Sequence, residues 1–353
     1  MKTWQRIKAD PKLVEKYLVR EKVVDTIRAF FKEQGFHEVS TPVLVPVPSA
    51  ESNLEVFETQ LRTSQGISRR AFLIMSPEYA LKKLVTAGLG SVFEITKCFR
   101  NDEEISRLHN PEFTMIEWYR VGADYTAIMA DFENLFVKII KDTTPNTDLS
   151  RWIYQNEEYD LTLPWQKMSV AQAFKKFADI QAETLLSKDK LLKAGKGKGY
   201  QVGSKTTWEQ IFYQIFFNEI ETKIRNSHKP MIIFDYPLSQ AALAKKKADD
   251  PRFAERFEVF LAGIELGNCF SELTNPTEQE ARFRDDLTIR KRLGKTDYPI
   301  DADFIEALKT GMPQVAGIAV GIDRLVMLAA NVPTVADTLF FPAAELFDLK
   351  PSD

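Results

Sequence analysis

Residues 91–121, SVFEITKCFRNDEEISRLHNPEFTMIEWYRV, constrain the fold more than any other stretch. They read as two strands joined by a charged loop. In a strand, alternate side chains point to one face. Glu94, Thr96, Cys98 and Arg100 therefore share a face of the first strand, and Phe113, Met115, Glu117 and Tyr119 share a face of the second. An arginine ends one strand; an aromatic ring, a carboxylate and a phenol line the other. The loop adds Arg107, His109 and Asn110. The set suits a nucleotide, with cations for phosphate, a ring to stack on a base and polar groups for its edge. The plainer alternative is an antiparallel hairpin with a solvated loop.

A chain of 353 residues can bury a large core, as one big domain or two ordinary ones. Its formal charge of −3 lacks the basic excess of a nucleic-acid-coating surface. Cys98 and Cys269 lie far apart without C-x-x-C spacing, so neither a zinc knuckle nor a disulfide framework is indicated. Both read as small buried thiols. The N-terminus, MKTWQRIKADPKL, is polar. No apolar run approaches the ~20 residues that span a bilayer. A soluble, cytoplasmic protein with no membrane association is expected.

Along the chain, residues 11–35 show helical spacing, with Leu13, Tyr17, Val24, Ile27, Phe30 and Phe31 on one broad face and Gly35 as the stop. An extended segment then runs to Pro42. Val56–Leu61 and Ala71–Met75 read as short strands around a polar turn. Ser76-Pro77-Glu78 opens a helix, with serine as N-cap, proline in the first turn and an acid near the positive helix end. A helix is expected over Asp124–Lys141, extended chain over 151–168, an apolar helix over Trp208–Lys223, and strands at Met231–Phe234 and Phe257–Ile264. The lysine- and glycine-rich stretch 186–206 reads as a flexible solvated connection, with a basic contact surface for an acidic protein as the alternative. No repeat or interdomain linker stands out. Residues 1–353 are expected to form a single α+β catalytic domain, an antiparallel β-sheet flanked by helices.

Read literally, FR-N-x-E followed by RLHNPEFTMIEWY resembles motif 2 of the class II aminoacyl-tRNA synthetases, in the lysyl subgroup. Residues 26–44, TIRAFFKEQGFHEVSTPVL, resemble motif 1, with its proline at Pro42. Residues 317–328, GIAVGIDRLVML, resemble motif 3, with Arg324 as its arginine. The three lie in the right order across nearly the whole chain. IELGNCFSELTNPTEQEARF and PIDADFIEALKTGMPQVAGIAVGIDRLVMLA carry a closer likeness, to the truncated lysyl-tRNA synthetase paralogues that ligate (R)-β-lysine to elongation factor P. Motif 1 begins near residue 26, so no anticodon-binding barrel is expected ahead of it. The resemblance also implies a homodimer built on the motif 1 helix and strand.

The chemistry so implied is carboxylate activation, in which an amino acid attacks the α-phosphorus of ATP and pyrophosphate leaves. Positioned cations stabilise the spreading charge. Arg100 is expected at the α-phosphate, since its planar fork matches phosphate oxygens, and Arg324 at the γ-phosphate. Phe113 would stack on adenine opposite Arg324. Asp102 or Glu103 would accept from the adenine amino group; the loop is one residue longer than the lysyl pattern, which leaves the choice open. Asn101, His109, Asn110, Leu266 and Gly321 complete the expected ATP contacts. Glu265 and Glu272 are the candidate Mg²⁺ ligands. Strict alternation would put them on opposite faces, and Gly267 permits a bulge that brings them together. In the resembling enzymes the acid matching Glu272 meets the substrate.

A lysine-like substrate needs carboxylates for its ammonium groups, because an unpaired buried charge is costly. Glu117, Tyr119, Glu272 and Asn268 could take the side-chain amine, and Ser76 and Glu78 the other. Ala319 stands where lysyl enzymes of this type carry the middle glycine of G-x-G-x-G-x-D-R, and its methyl is expected to shape the choice between lysine and β-lysine. Lys196 and Lys198 are a candidate docking surface for elongation factor P, and no stable tRNA binding is expected. The alternatives are a truncated lysyl-tRNA synthetase that charges tRNA and an inactive synthetase-like regulator. Arg100, Glu265 and Arg324, all present, weigh against the last.

Overall fold

The computed structural model describes residues 2–351. The chain divides into two compact units, one made of Met1–Thr147 with Glu272–Asp353 and the other of Asp148–Ser271.

The first unit is built on the two strands anticipated from residues 91–121. Val92–Phe99 and Glu112–Val121 pair antiparallel, with Glu94 opposite Glu117 and Cys98 opposite Phe113. Strand Val315–Gly321 joins the other side, also antiparallel, with Gly317 opposite Tyr119 and Ala319 opposite Glu117. The short edge strand His37–Glu38 pairs parallel with Val92 and Phe93. The antiparallel sheet that was expected thus carries one parallel pair at its edge. Residues 39–91 supply the long crossover that a parallel pair requires. They contain the hairpin Glu58–Arg62 and Ser68–Leu73 and the helix Glu78–Thr86.

Helix Leu13–Glu33 buries Tyr17, Val23, Thr26, Ile27 and Phe31. Phe31 fastens it to the sheet, with its ring 5.2 Å from Phe93 and 4.8 Å from Trp118. Gly35, at φ +78°, turns the chain out of the helix. Helix Tyr125–Thr143 is capped by Asp124, whose carboxylate accepts from the Thr126 and Ala127 amides. Its buried Ile128, Phe132, Leu135, Phe136 and Ile139 follow the 3.6-residue period.

The second unit carries a sheet in the order Ile264–Ser271, Phe253–Leu261, Met231–Pro237 and Gln166–Ser169. Its last pair is parallel, and helical residues between 170 and 225 form the crossover. The stretch 186–206 is not a flexible connection over its first half. It forms the helix Lys188–Gly197, whose Leu191 is buried in a cluster with Phe174, Trp208, Ile211 and Phe212. Gly195 is there for space, since a methyl at that position would lie 2.8 Å from Ile211 Cγ2. Lys198 pairs with Glu219 at 2.9 Å. The apolar stretch Trp208–Lys223 forms three helical segments, Trp208–Ile215, a π-turn Phe216–Glu221 and Thr222–Arg225. Among the described residues no helix is long and apolar enough to cross a membrane.

Candidate active site

In the first unit the charged loop is closed at its base by the Arg100 amide, which donates to Pro111 O at 2.9 Å. The Arg100 guanidinium lies over the Phe113 ring, 5.1 Å from its centre, and 3.6 Å from Glu103. Its Nε is buried and has no hydrogen-bond partner among the described residues. A buried donor left without an acceptor is costly, so Arg100 is a place where an anionic ligand adds stability. Of the two candidate loop acids, Glu103 turns toward Arg100, while Asp102 is exposed at φ +51°. Asn101 is tied down through its backbone, whose amide donates to Glu55 O at 3.0 Å.

Arg324 stands in the first turn of helix Ile322–Ala329, directly after the strand that ends at Gly321. Its guanidinium is 2.9 Å from His109 Nε2, and its Nε donates to Leu108 O at 3.4 Å. A guanidinium has only donors, so His109 Nε2 must be the acceptor and Nδ1 carries the proton, 3.0 Å from Ser106 Oγ. Neighbouring Asp323 is buried, pairs with Arg20 and accepts from the Thr114 amide at 2.9 Å. That anchors the helix start to the strand carrying Phe113. The Asn110 carboxamide is spent at both ends, donating to Glu112 O at 2.6 Å and accepting from Ala343 N at 3.0 Å. Its side chain closes the loop. Gly321 is not required for room, since a methyl there would meet Arg324 at an ordinary 3.8 Å.

The first unit also holds a buried acid cluster. Ser76 donates to Glu117 Oε2 at 2.6 Å and Tyr119 to Glu117 Oε1 at 2.5 Å. Ser76 Oγ also accepts from the Glu78 amide at 3.1 Å, which caps the first turn although Pro77 holds the N-cap position. Lys82, one turn beyond Glu78, forms ion pairs with both Glu78 and Glu272 and lies 5.9 Å from the Tyr119 ring centre. Glu272 is tethered by its amide to Val315 O at 2.9 Å. Lys82 is 1% exposed and Glu117 2%. Burial, helped by the neighbouring Glu78 charge, pushes Glu117 up to about 8. Burial likewise pushes Glu272 up to about 8, with Lys82 pulling the other way and Glu78 adding to the rise. For Lys82, burial favours loss of the proton, but Glu272 and Glu78 outweigh it and hold the ammonium charged.

Sequence reasoning missed Lys82. The i,i+4 spacing from Glu78 signals an ordinary helix-surface pair and says nothing of its burial. It also missed Gly317. A methyl at that position would sit 2.4 Å from Tyr119 Cε1 and 2.5 Å from Cδ1. Gly317→Ala is therefore expected to displace the Tyr119 ring and strain the core by about 1–3 kcal/mol. Thermal melting should register the strain. Ala319 lies opposite Glu117 and packs against the cluster of Ile74, Cys98 and Met115.

The second unit places Glu265, Leu266 and Asn268. Its two long strands pair Val259 with Gly267 but Phe260 with Glu265, which leaves Leu266 as the extra residue of a bulge. The bulge anticipated at Gly267 is thus present one residue away. It moves Glu265 onto the face of Asn268 and Phe270, the partners of Glu258 and Arg256. Arg256 is held by Glu258 at 2.5 Å and by Gln240 O, and its Nε donates to Asn268 Oδ1 at 3.0 Å. The amide oxygen of Asn268 thus accepts from Arg256 and keeps a second lone pair, while the amide nitrogen is a donor. Burial pushes Glu258 up to about 7, against the pull of Arg256 and with Glu265 adding to the rise.

The first unit thus sets an arginine-bearing strand and loop beside a buried cluster of glutamates. The profile of the tRNA synthetases class II (D, K and N) matches residues 3–345, and the chain belongs to that family. Its α+β fold, with mixed sheets flanked by helices, is the fold of that class. The chain is 36% identical over 327 residues to a lysine–tRNA ligase of Campylobacter jejuni (strain RM1221), covering 93% of this chain and 63% of the relative. It is 36% identical over 328 residues to the lysine–tRNA ligase of Chloroflexus aurantiacus (strain ATCC 29366 / DSM 635 / J-10-fl), covering 93% and 65%. A lysine–tRNA ligase of Halalkalibacterium halodurans (strain ATCC BAA-125 / DSM 18197 / FERM 7344 / JCM 9153 / C-125) is 33% identical over 333 residues, with 94% and 64% covered. The chain thus spans under two thirds of the length of these relatives.

Proposed function

We propose that this protein activates lysine or (R)-β-lysine with ATP as an aminoacyl-adenylate and transfers it to a lysine side chain of elongation factor P. The observation that carries the choice of amino acid is the acid cluster. Glu78, Glu117 and Glu272 are three carboxylates against one ammonium, Lys82. A ligand with two ammonium groups balances that deficit, and a neutral or acidic amino acid does not. Both oxygens of Glu117 already accept from hydroxyls, so the carboxylate is held in place with lone pairs to spare for an N–H donor.

In the activation step the substrate carboxylate oxygen bonds to the α-phosphorus and the bond to the pyrophosphate oxygen breaks. Arg100 stabilises charge on the α-phosphoryl group, and Arg324, oriented by His109, takes the γ-phosphate. Phe113 is the adenine platform. Mg²⁺ takes one or two carboxylates and completes its shell with phosphate oxygens and water. Glu265, exposed, suits that role better than Glu272, which is occupied by a cation. When bound, the ion would neutralise phosphate charge. The same reading carries a homodimer through helix Leu13–Glu33 and the segment leading to Pro42.

The near-neutral charge of −3 favours a protein acceptor over tRNA. The names of the relatives favour the second reading, charging of tRNA with lysine. Pyrophosphate exchange with lysine and with β-lysine tests activation. One pot holding labelled amino acid, total tRNA and elongation factor P tests the acceptor. Label on the protein supports ligation, and label mainly on tRNA restores the second reading.

Ligand binding should release protons. Glu117 and Glu272, both raised to about 8, are largely protonated at pH 7 without ligand, and incoming ammonium groups favour their charged forms. Calorimetry in buffers of different ionisation enthalpy should find about one proton or more released per lysine bound at pH 7. Without ligand, the folded carboxyls hold protons that unfolded ones, at 4.5, have lost. Stability of the free protein should therefore fall as pH rises from about 4.5 to about 8 and level off above that.

A further inference from the structure

Helix Pro276–Arg292 carries a buried charge that neither the motifs nor the reaction uses. Arg290 is 1% exposed. Its NH1 donates to Glu51 O at 2.6 Å and to Leu54 O. Its NH2 and Nε donate to Thr296 O at 3.0 and 3.3 Å, and NH2 lies 3.4 Å from Glu55 Oε1. The guanidinium also sits 4.6 Å from the centre of the Tyr298 ring. Every edge of the fork is used, and three of the four partners, two backbone carbonyls and the Glu55 carboxylate, belong to one short segment, residues 49–56.

That segment is a strap with both ends on the proposed site. At one end the Ala50 amide donates to Tyr79 Oη at 2.8 Å, and Tyr79 directly follows Glu78. Tyr298 adds a second tie there, donating to Ser49 O at 3.1 Å and accepting from the Glu51 amide at 3.4 Å. At the other end Glu55 O accepts from the Asn101 amide at 3.0 Å, and Asn101 Nδ2 donates to Val56 O at 3.4 Å. Asn101 directly follows Arg100. The Glu55 carboxylate is itself held by the Val56 and Thr296 amides at 2.9 and 3.1 Å. Arg290 grips the middle of this run.

We infer that Arg290 is a positioning residue for carboxylate activation, setting the distance between the amino-acid pocket at Glu78 and the phosphate-binding Arg100 through the strap 49–56. This rests on the activation reading above. A planar fork can serve three carbonyls and a carboxylate at once, which a lysine ammonium cannot. Arg290→Lys keeps the buried charge and gives up the fork geometry. The strap then loosens and Arg100 is no longer held at the reacting distance, where small misplacements have large rate effects.

The test compares wild type, Arg290→Lys and Tyr298→Phe in pyrophosphate exchange, well below their melting temperatures and per mole of folded protein. Tyr298→Phe loosens the same strap without touching the buried charge, so the idea stays testable should the arginine variant fold poorly. The expected result is a kcat lowered by about 10- to 100-fold in Arg290→Lys, with raised KM for ATP, and a smaller change of the same kind in Tyr298→Phe. Lysine binding by calorimetry should stay within about twofold, because the acid cluster is untouched. Wild-type kcat and KM in folded Arg290→Lys, or in Tyr298→Phe should the former not fold, would overturn the positioning role and leave the activation reading standing. No exchange in wild type would overturn both.

Discussion

Arg324→Ala is expected to lower ATP–pyrophosphate exchange by about 10³-fold while the melting temperature moves by no more than a few degrees. Phosphoryl-group chemistry asks the protein for position and charge, and removing one positioned cation or donor typically lowers the rate by about 10²- to 10³-fold or more. The fold should tolerate the change. Arg324 is half-buried, and its contacts are with the loop, at His109 Nε2 and Leu108 O. The helix start is anchored independently by Asp323 through Arg20 and the Thr114 amide. Arg324→Lys is the informative companion, because it keeps charge and gives up the two-pronged geometry. Near-normal exchange in folded Arg324→Ala would remove this residue from the phosphate site.

Lys82→Met should destabilise the protein by about 3–5 kcal/mol, the usual consequence of removing one partner from a buried ion pair. Here one cation serves two carboxylates, Glu78 and Glu272, and all three groups are buried. The loss should depend on pH in a definite direction. Glu272 is pushed up to about 8 even with Lys82 beside it, and without the ammonium it rises further. At low pH the orphaned Glu272 carboxyl is protonated and cheap to bury. As pH rises past about 8 it must ionise unpaired or force the fold open. Urea denaturation at pH 5 and pH 9 should therefore show the larger deficit at pH 9. Lys82→Met combined with Glu272→Gln should recover part of it. Equal stability of wild type and Lys82→Met at pH 9 would mean that the ammonium does not hold the cluster together.

Some of this site could be read from local rules. Period-two alternation alone places Glu117 beside Tyr119 and Phe113, because a strand backbone leaves no other choice. The Ser76-Pro77-Glu78 run announces a helix start by its own capping chemistry, and Gly35 announces a helix end. Gly267 signals a bulge, since an interior glycine is otherwise a poor strand residue. Each is a property of a few neighbouring residues and their backbone torsions. Other features needed the tertiary structure. The lysines of 188–198 suggested solvated chain, but burial is decided by what packs opposite, and Leu191 and Gly195 meet the helix bearing Ile211. The bulged residue is Leu266 only because Val259 and Phe260 set the register from the partner strand. Lys82 and Arg290 look like the solvated lysines and arginines of any helix surface. Their burial follows from segments distant in sequence, Glu272 for one and residues 51–55 for the other, arriving at the same point. Desolvation and pairing set the worth of a charge, and both are properties of the assembled surroundings that no local spacing encodes.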